Sequence, residues 1–155
     1  MKFTTREDIE APIEYVFGVV SDFDGFQRQA MRRGADVART DSLEAPGEGM
    51  AWDIAFPFRG KRREMAVKMV DYAPSHHMVF DSRLTGLNGL LTVDLLALSR
   101  GRTRLDLSIE LAPQSLSAKL LVQSMKLAKG SLNKRFKVRV AEFAKTTEDK
   151  YQQTV

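Results

Sequence analysis

The chain contains no cysteine, which excludes disulfides, thiolate-bound metals, iron–sulfur clusters and a cysteine nucleophile. Its only histidines, His76 and His77, are adjacent. Neighbours on a strand point to opposite faces, so the pair reads as an exposed hairpin rather than a metal site or a catalytic base. Proline is scarce, five in all, and none follows Pro113. No apolar run approaches the roughly 20 residues needed to cross a bilayer. The opening Met1-Lys2-Phe3-Thr4-Thr5-Arg6-Glu7-Asp8 lacks the apolar segment of a signal peptide. Phosphate-binding glycine loops, a dinucleotide fingerprint, a Gly-x-Ser-x-Gly elbow and His-Glu-x-x-His are also missing. These absences lead us to expect a cytoplasmic protein with no metal, no cofactor and no assignable catalytic residue.

What is present is ordinary globular material: 155 residues, 43% hydrophobic and 28% charged, enough for one domain over residues 1–155 with a core of its own. The net charge of +4 is unevenly spread. Residues 1–114 carry 15 basic and 17 acidic groups, whereas residues 115–155 carry 9 and 3. The basicity belongs to the last segment, where it is either a solvated helix face or an attraction for an anionic partner.

Lys2 to Ile9 reads as a strand ending at Ala11-Pro12, where proline suits a first helical turn. Val16, Phe17 and Val20 then recur at helical spacing until Ser21-Asp22-Phe23-Asp24-Gly25, and a short second helix runs on to Met31–Gly34. From Ala35 the period becomes two. A modest strand to Ser42 is followed by alternating runs through Met50–Phe58, Met65–Met69, Met78–Leu84 and Leu105–Leu111, with Leu90–Ser99 apolar on both parities. Short turns between them favour an antiparallel meander. After Pro113, Ser115 or Ser117 can cap a helix of about 30 residues reaching Thr147, about 45 Å long. Its apolar stripe is Leu121, Met125, Ala128, Leu132, Phe136, Val140 and Phe143, with Gly130 on the outer side as a place to bend.

A helix with one apolar stripe must bury it, and the sheet is the only large partner. The expected class is therefore α+β: a curved antiparallel sheet of six or seven strands wrapped on a long C-terminal helix. Ile9-x-Ala11-Pro12-x-x-x-Val16-Phe17, followed by Asp22-Phe23, resembles the opening of the START-like, or SRPBCC, superfamily, especially its polyketide cyclase/dehydrase and lipid-transport branch. The motif covers only the first strand and helix, while the element order covers nearly the whole chain. The resemblance implies a helix-grip (START/Bet v 1-like) fold with a hydrophobic cavity beneath the C-terminal helix. It implies no shared catalytic set.

Inward parity puts Trp52, Phe56, Phe58, Met65, Met69, Met78, Phe80, Ser82 and Leu107 of the strands opposite Leu121, Ser124, Met125, Ala128 and Leu132 of the helix. Such a set is either packed core or the wall of a pocket. The alternation alone favours core; the resemblance favours a pocket. Few polar groups could enter it: Ser82, Ser124, the Trp52 indole, Asp94 if its strand uses the other parity, and Arg139 within the helical stripe. Arg139 can equally snorkel to water.

The leading expectation is a carrier of a small hydrophobic molecule, such as a lipid, an isoprenoid quinone or a polyketide-like compound. Access would lie near Phe23–Met31 and the hairpin loops, with the long helix hinged about Gly130 as a lid. The rivals are a cyclase or dehydratase acting on a polyketide-like substrate, and an interaction module using the basic helix. Arg32-Arg33, Lys61-Arg62-Arg63 and the helical lysines could also touch an anionic membrane. Nucleic acid is disfavoured, since no aromatic platform is interleaved with these charges.

Overall fold

The computed structural model describes residues 1–155. Its strands are β1 (Lys2–Ile9), β2 (Asp36–Arg39), β3 (Ala51–Phe58), β4 (Lys61–Ala73), β5 (His77–Leu84), β6 (Leu87–Ser99) and β7 (Arg102–Pro113). Its helices are α1 (Ile13–Val20), α2 (Phe23–Arg32), α3 (Leu116–Leu127) and α4 (Lys129–Thr154). The strands form one antiparallel sheet in the order β1-β7-β6-β5-β4-β3-β2, so β2 to β7 is a meander and β1 returns to pair with β7.

Turn chemistry sets the meander's register. Arg59 and Gly60 both have positive φ, 51° and 75°, as the two-residue turn joining β3 to β4 requires. A bulge at Val70, between Met69 and Asp71, bends β4. Gly86 turns β5 into β6 at φ 74°, and a Cβ there would lie 2.2 Å from the Ser115 hydroxyl. That hydroxyl accepts the Ala118 N–H at 3.1 Å and caps α3, so hairpin and helix are locked together.

Parity is resolved in β6. Leu91, Val93 and Leu95 face inward, while Leu90, Leu96 and Leu98 are exposed. Asp94 therefore belongs to the outer face, paired across the ladder with His77. The single helix expected after Ser115 is interrupted at Ala128 (φ −104°, ψ 15°) rather than bent at Gly130, and α4 runs on to Thr154. Ala118 and Val122 are buried where α3 meets β7, whereas α4 packs chiefly on β1. Tertiary seating on different strands overrides continuous helical propensity.

The family-like motif turns out to be structural. Ile9, Ala11 and Val16 are fully buried and Phe17 nearly so. Asp22 caps α2 by accepting the Gly25 N–H at 3.1 Å. Thr103, also fully buried, donates its hydroxyl to the Ala11 carbonyl at 2.8 Å. Thr103→Val should leave that carbonyl without a partner and cost about 1–3 kcal/mol of unfolding free energy. Chemical denaturation checks this, and an unchanged midpoint would contradict it.

The loop before β3 is held by one carboxylate. Asp41 accepts from Arg39 Nε and Nη2 at 2.7 and 2.6 Å, from the Ala51 N–H at 2.8 Å and from the Leu43 N–H at 3.0 Å. Arg39 in turn lies over the Trp52 ring, 5.7 Å from its centroid. The Arg39 guanidinium and then the Ala51 N–H hold the Asp41 carboxyl well below the usual carboxylate range, against the opposing effect of burial. A depressed folded pKa stabilises above the unfolded value near 4 and is lost as pH falls toward the folded value. Thermal unfolding between pH 5 and about pH 2 should therefore show a shallower acid decline in Asp41→Asn than in the parent. Parallel declines would contradict the assignment.

Candidate functional site

The inner face is a lattice of cross-strand rows. Trp52, Val67, Ser82, Gly89 and Leu111 form one row; Met69, Phe80, Leu91, Ile109 and Phe3 form the next. The second row ends against α4, with Phe3 and Phe136 rings 6.4 Å apart. Helix α4 is tied to the start of the chain by the Glu10 N–H donating to Glu148 at 2.8 Å and by Tyr15 stacking edge-on to Tyr151 at 5.0 Å. Its inner face toward the core is Val140, Ala144 and Thr147.

Toward β3 to β5 the helices are joined to the sheet differently. Phe23, the first residue of α2, reaches across to Trp52 and Phe80 with ring centroids 5.6 and 6.1 Å away. Phe26 meets Phe143 of α4 at 6.3 Å. This aromatic bridge joins α2 to β3, β5 and α4.

Beyond it the packing thins. Trp52, Met69 and Met78 belong to the core cluster, and Phe80 and Leu107 pack against it. Phe56, Met65, Leu121, Met125 and Leu132 are half-buried and stand outside that cluster, with Ser82 half-buried among the same rows. Together they are the apolar side chains of the inner face of sheet and helices that are left partly exposed. Three expected lining residues are not part of this half-buried set: Phe58 is exposed at the hairpin end, and Ser124 and Ala128 are exposed on the outer side of α3 and at its junction with α4. Arg139 is likewise exposed, off the apolar stripe.

Few polar groups share this inner face. Ser82 donates to the Gly89 carbonyl at 3.2 Å, and the missing side chain at Gly89 makes room for it: a Cβ there would sit 3.0 Å from that hydroxyl. Arg63 was unforeseen. It pairs with Phe56 on the inward parity of β4, is half-buried, and has only the Phe58 carbonyl at 3.5 Å as partner. Its neighbour Arg62 turns outward to an ion pair with Asp36. Counting back by two from Met65 would have found Arg63. Phe23 was legible too, since Phe23 and Phe26 share an α2 face next to the Asp22 cap.

The outer face holds polar ladders. His77 lies between Asp94, 2.5 Å from Nδ1, and Asp71, 3.2 Å from Nε2. Arg104 engages Asp8 at 2.9 Å and holds that carboxyl below its usual range. A depression of about 510 Å³ is lined by outward Asp36, Asp53, Glu64 and Arg83 together with Val37, Ile54 and Met65 of the inward parity. A second, of about 610 Å³, runs along the β1–β7 rim. The first shares Met65 with the half-exposed inner-face set, and the second shares none of that set. No group of three or more His, Asp or Glu side chains could hold a metal, and no helix is long and apolar enough to cross a membrane.

A seven-stranded curved antiparallel sheet closed by a long C-terminal helix is the helix-grip architecture of START-like and Bet v 1-like proteins. The chain belongs to the polyketide cyclase/dehydrase and lipid-transport family, whose profile matches residues 1–148. Among solved structures it resembles a protein from Thermus thermophilus at 13% identity and TM-score 0.65, over 95% of this chain and 97% of that one. It resembles the Zhui aromatase/cyclase from a Streptomyces species at 12% identity and TM-score 0.58, over 74% and 69%. A START superfamily protein from Mycobacterium smegmatis matches at 11% identity and TM-score 0.56, over 86% and 95%. At such identities the likeness is one of fold. A comparison with curated proteins finds no match.

Proposed function

We propose that residues 1–155 act as one ligand-binding domain that carries a small hydrophobic molecule, of lipid, isoprenoid-quinone or polyketide-like type, in a groove beneath α3 and α4. The observation that carries this reading is the set Phe56, Met65, Leu121, Met125 and Leu132, apolar side chains left half-exposed on the inner side of the fold. Membership of a lipid-transport and cyclase family supports the ligand class. A ligand burying about 400 Å² of apolar surface would gain about 10 kcal/mol. Immobilising it costs roughly 4 kcal/mol or more, which leaves affinity in the range of tens of micromolar or weaker. Ser82 and Arg63 are the polar groups available to orient a hydroxyl, carbonyl or carboxylate at the groove.

The cyclase alternative needs an acid or base projecting into the groove. Its sequence candidate, Asp94, is engaged with His77 on the outer face, so the carrier reading is preferred. We place the carrier in the cytoplasm, with its basic residues giving peripheral contact to an anionic membrane and no nucleic acid or metal required.

Native mass spectrometry of freshly purified protein tests the reading. An adduct above 17.5 kDa that solvent extraction releases as an apolar molecule supports it. A bare chain that also fails to take up offered fatty acids and quinones overturns it.

A further inference from the structure

Helix α3 has two apolar faces, and only one is seated. Ala118 and Val122 are 5% and 4% exposed where the helix meets the body. Leu116, Leu120 and Leu127 are 75%, 59% and 92% exposed. At 100° per residue these three leucines fall within an arc of about 40°, so they form a single stripe rather than scattered exposures. Large apolar side chains left out in a row on one short helix call for a covering partner.

Charge identifies the partner. Between Glu110 and Glu142 the chain has no acidic residue and seven lysines or arginines. None of the seven makes an ion pair within the molecule; the nearest intramolecular pairs of the C-terminal region involve Lys145 alone. Lys119 and Lys126 flank the leucine stripe on one side, Ser117 and Ser124 on the other, and Lys129 follows at the junction with α4. A second copy of the chain docked symmetrically on this face would oppose one unpaired basic helix to another. An anionic phospholipid surface matches both features at once: leucines entering the boundary between headgroups and acyl chains, lysines at the phosphates.

We propose that α3 is a membrane-docking helix that inserts Leu116, Leu120 and Leu127 into an anionic phospholipid surface. It thereby names the surface for the peripheral contact suggested above. Leu121 and Met125 of the same helix belong to the proposed groove, so docking would bring the groove's edge to the bilayer. The docking surface does not depend on the groove being loaded, and the assay below contains no ligand, so the two readings stand or fall separately.

The test is cosedimentation with vesicles of phosphatidylcholine, with and without about one third phosphatidylglycerol. The wild-type chain should bind the anionic vesicles, bind neutral ones far less, and lose binding at high salt. Lys119→Gln, Lys126→Gln and Lys129→Gln together should weaken binding about 100-fold, near fivefold for each lysine. Leu116→Ser, Leu120→Ser and Leu127→Ser together should abolish it, with an unchanged melting temperature because all three side chains are already exposed. Equal vesicle binding by the leucine variant and the parent overturns the proposal, as does absence of binding to anionic vesicles. Light scattering gives a further contrary outcome: a wild-type dimer that the leucine substitutions dissociate would assign the stripe to self-association instead.

Discussion

Met65→Trp combined with Met125→Trp is expected to weaken binding of an apolar fluorophore at least tenfold while leaving the protein folded. The two side chains are half-buried on β4 and α3 and lie outside the core cluster, so added volume displaces no well-packed core neighbours and would enter the proposed groove. Each indole would take space that the ligand needs, and the lost contact area carries most of the affinity. Enlarging Ala128 provides the control. That residue is exposed at the α3–α4 junction, so Ala128→Trp should leave uptake unchanged. Titration of fluorescence, with thermal unfolding on each variant, separates the outcomes. Undiminished binding in the double variant would move the ligand out of the groove.

The largest expected effect on stability is at Leu105. It is fully buried at the centre of the core cluster, on a strand flanked by β1 and β6. Leu105→Ala removes three heavy atoms from a site with no access to solvent and should cost about 2–5 kcal/mol. Leu96→Ala deletes the same atoms from an outward position that is 57% exposed and should change stability by no more than about 0.5 kcal/mol. Denaturant midpoints of the two variants test the inward parity of the whole sheet, because a one-residue slip would exchange their effects.

The contrast between those two leucines also marks where the sequence was readable. Alternation in β3, β4 and β7 places each inner face correctly because polar and apolar residues take strict turns there. In β6 it fails, since Leu90, Leu91, Leu95, Leu96 and Leu98 occupy both parities; pairing with β5 and β7, a long-range fact, decides between them. The break at Ala128 was similarly hidden. Nothing in the local sequence between Ser124 and Leu132 stops a helix except Gly130, and the interruption falls two residues earlier. The motif around Ile9, Ala11, Pro12, Val16 and Phe17 was legible for the opposite reason: Ile9, Ala11, Val16 and Phe17 are buried core contacts and Pro12 precedes the first turn of α1, so the motif reports architecture and carries no information about the ligand.

The half-exposed inner set on which the proposed groove rests was only half legible. Period-two parity picks out Phe56, Met65 and Ser82, but cannot tell a half-exposed inner residue from a buried one such as Met69 or Met78. That distinction depends on how far α4 lies toward β1 and on Phe23 bridging to Trp52 and Phe80, neither of which is a local property. Arg63 was masked by its neighbours: in a run of three basic residues at a hairpin, the one on the inward parity looks like the other two.

The methionine methyl groups offer the most direct measurement. With all seven methionines ¹³C-labelled at the methyl, NMR titration with an apolar ligand recovered from the protein, or with a fatty acid, should shift and broaden Met65 and Met125 first. Met31, exposed on α2 and outside the half-buried inner set, should shift less and later. Shifts confined to Met31, or none at saturating ligand, would contradict an apolar binding groove between the sheet and its C-terminal helices.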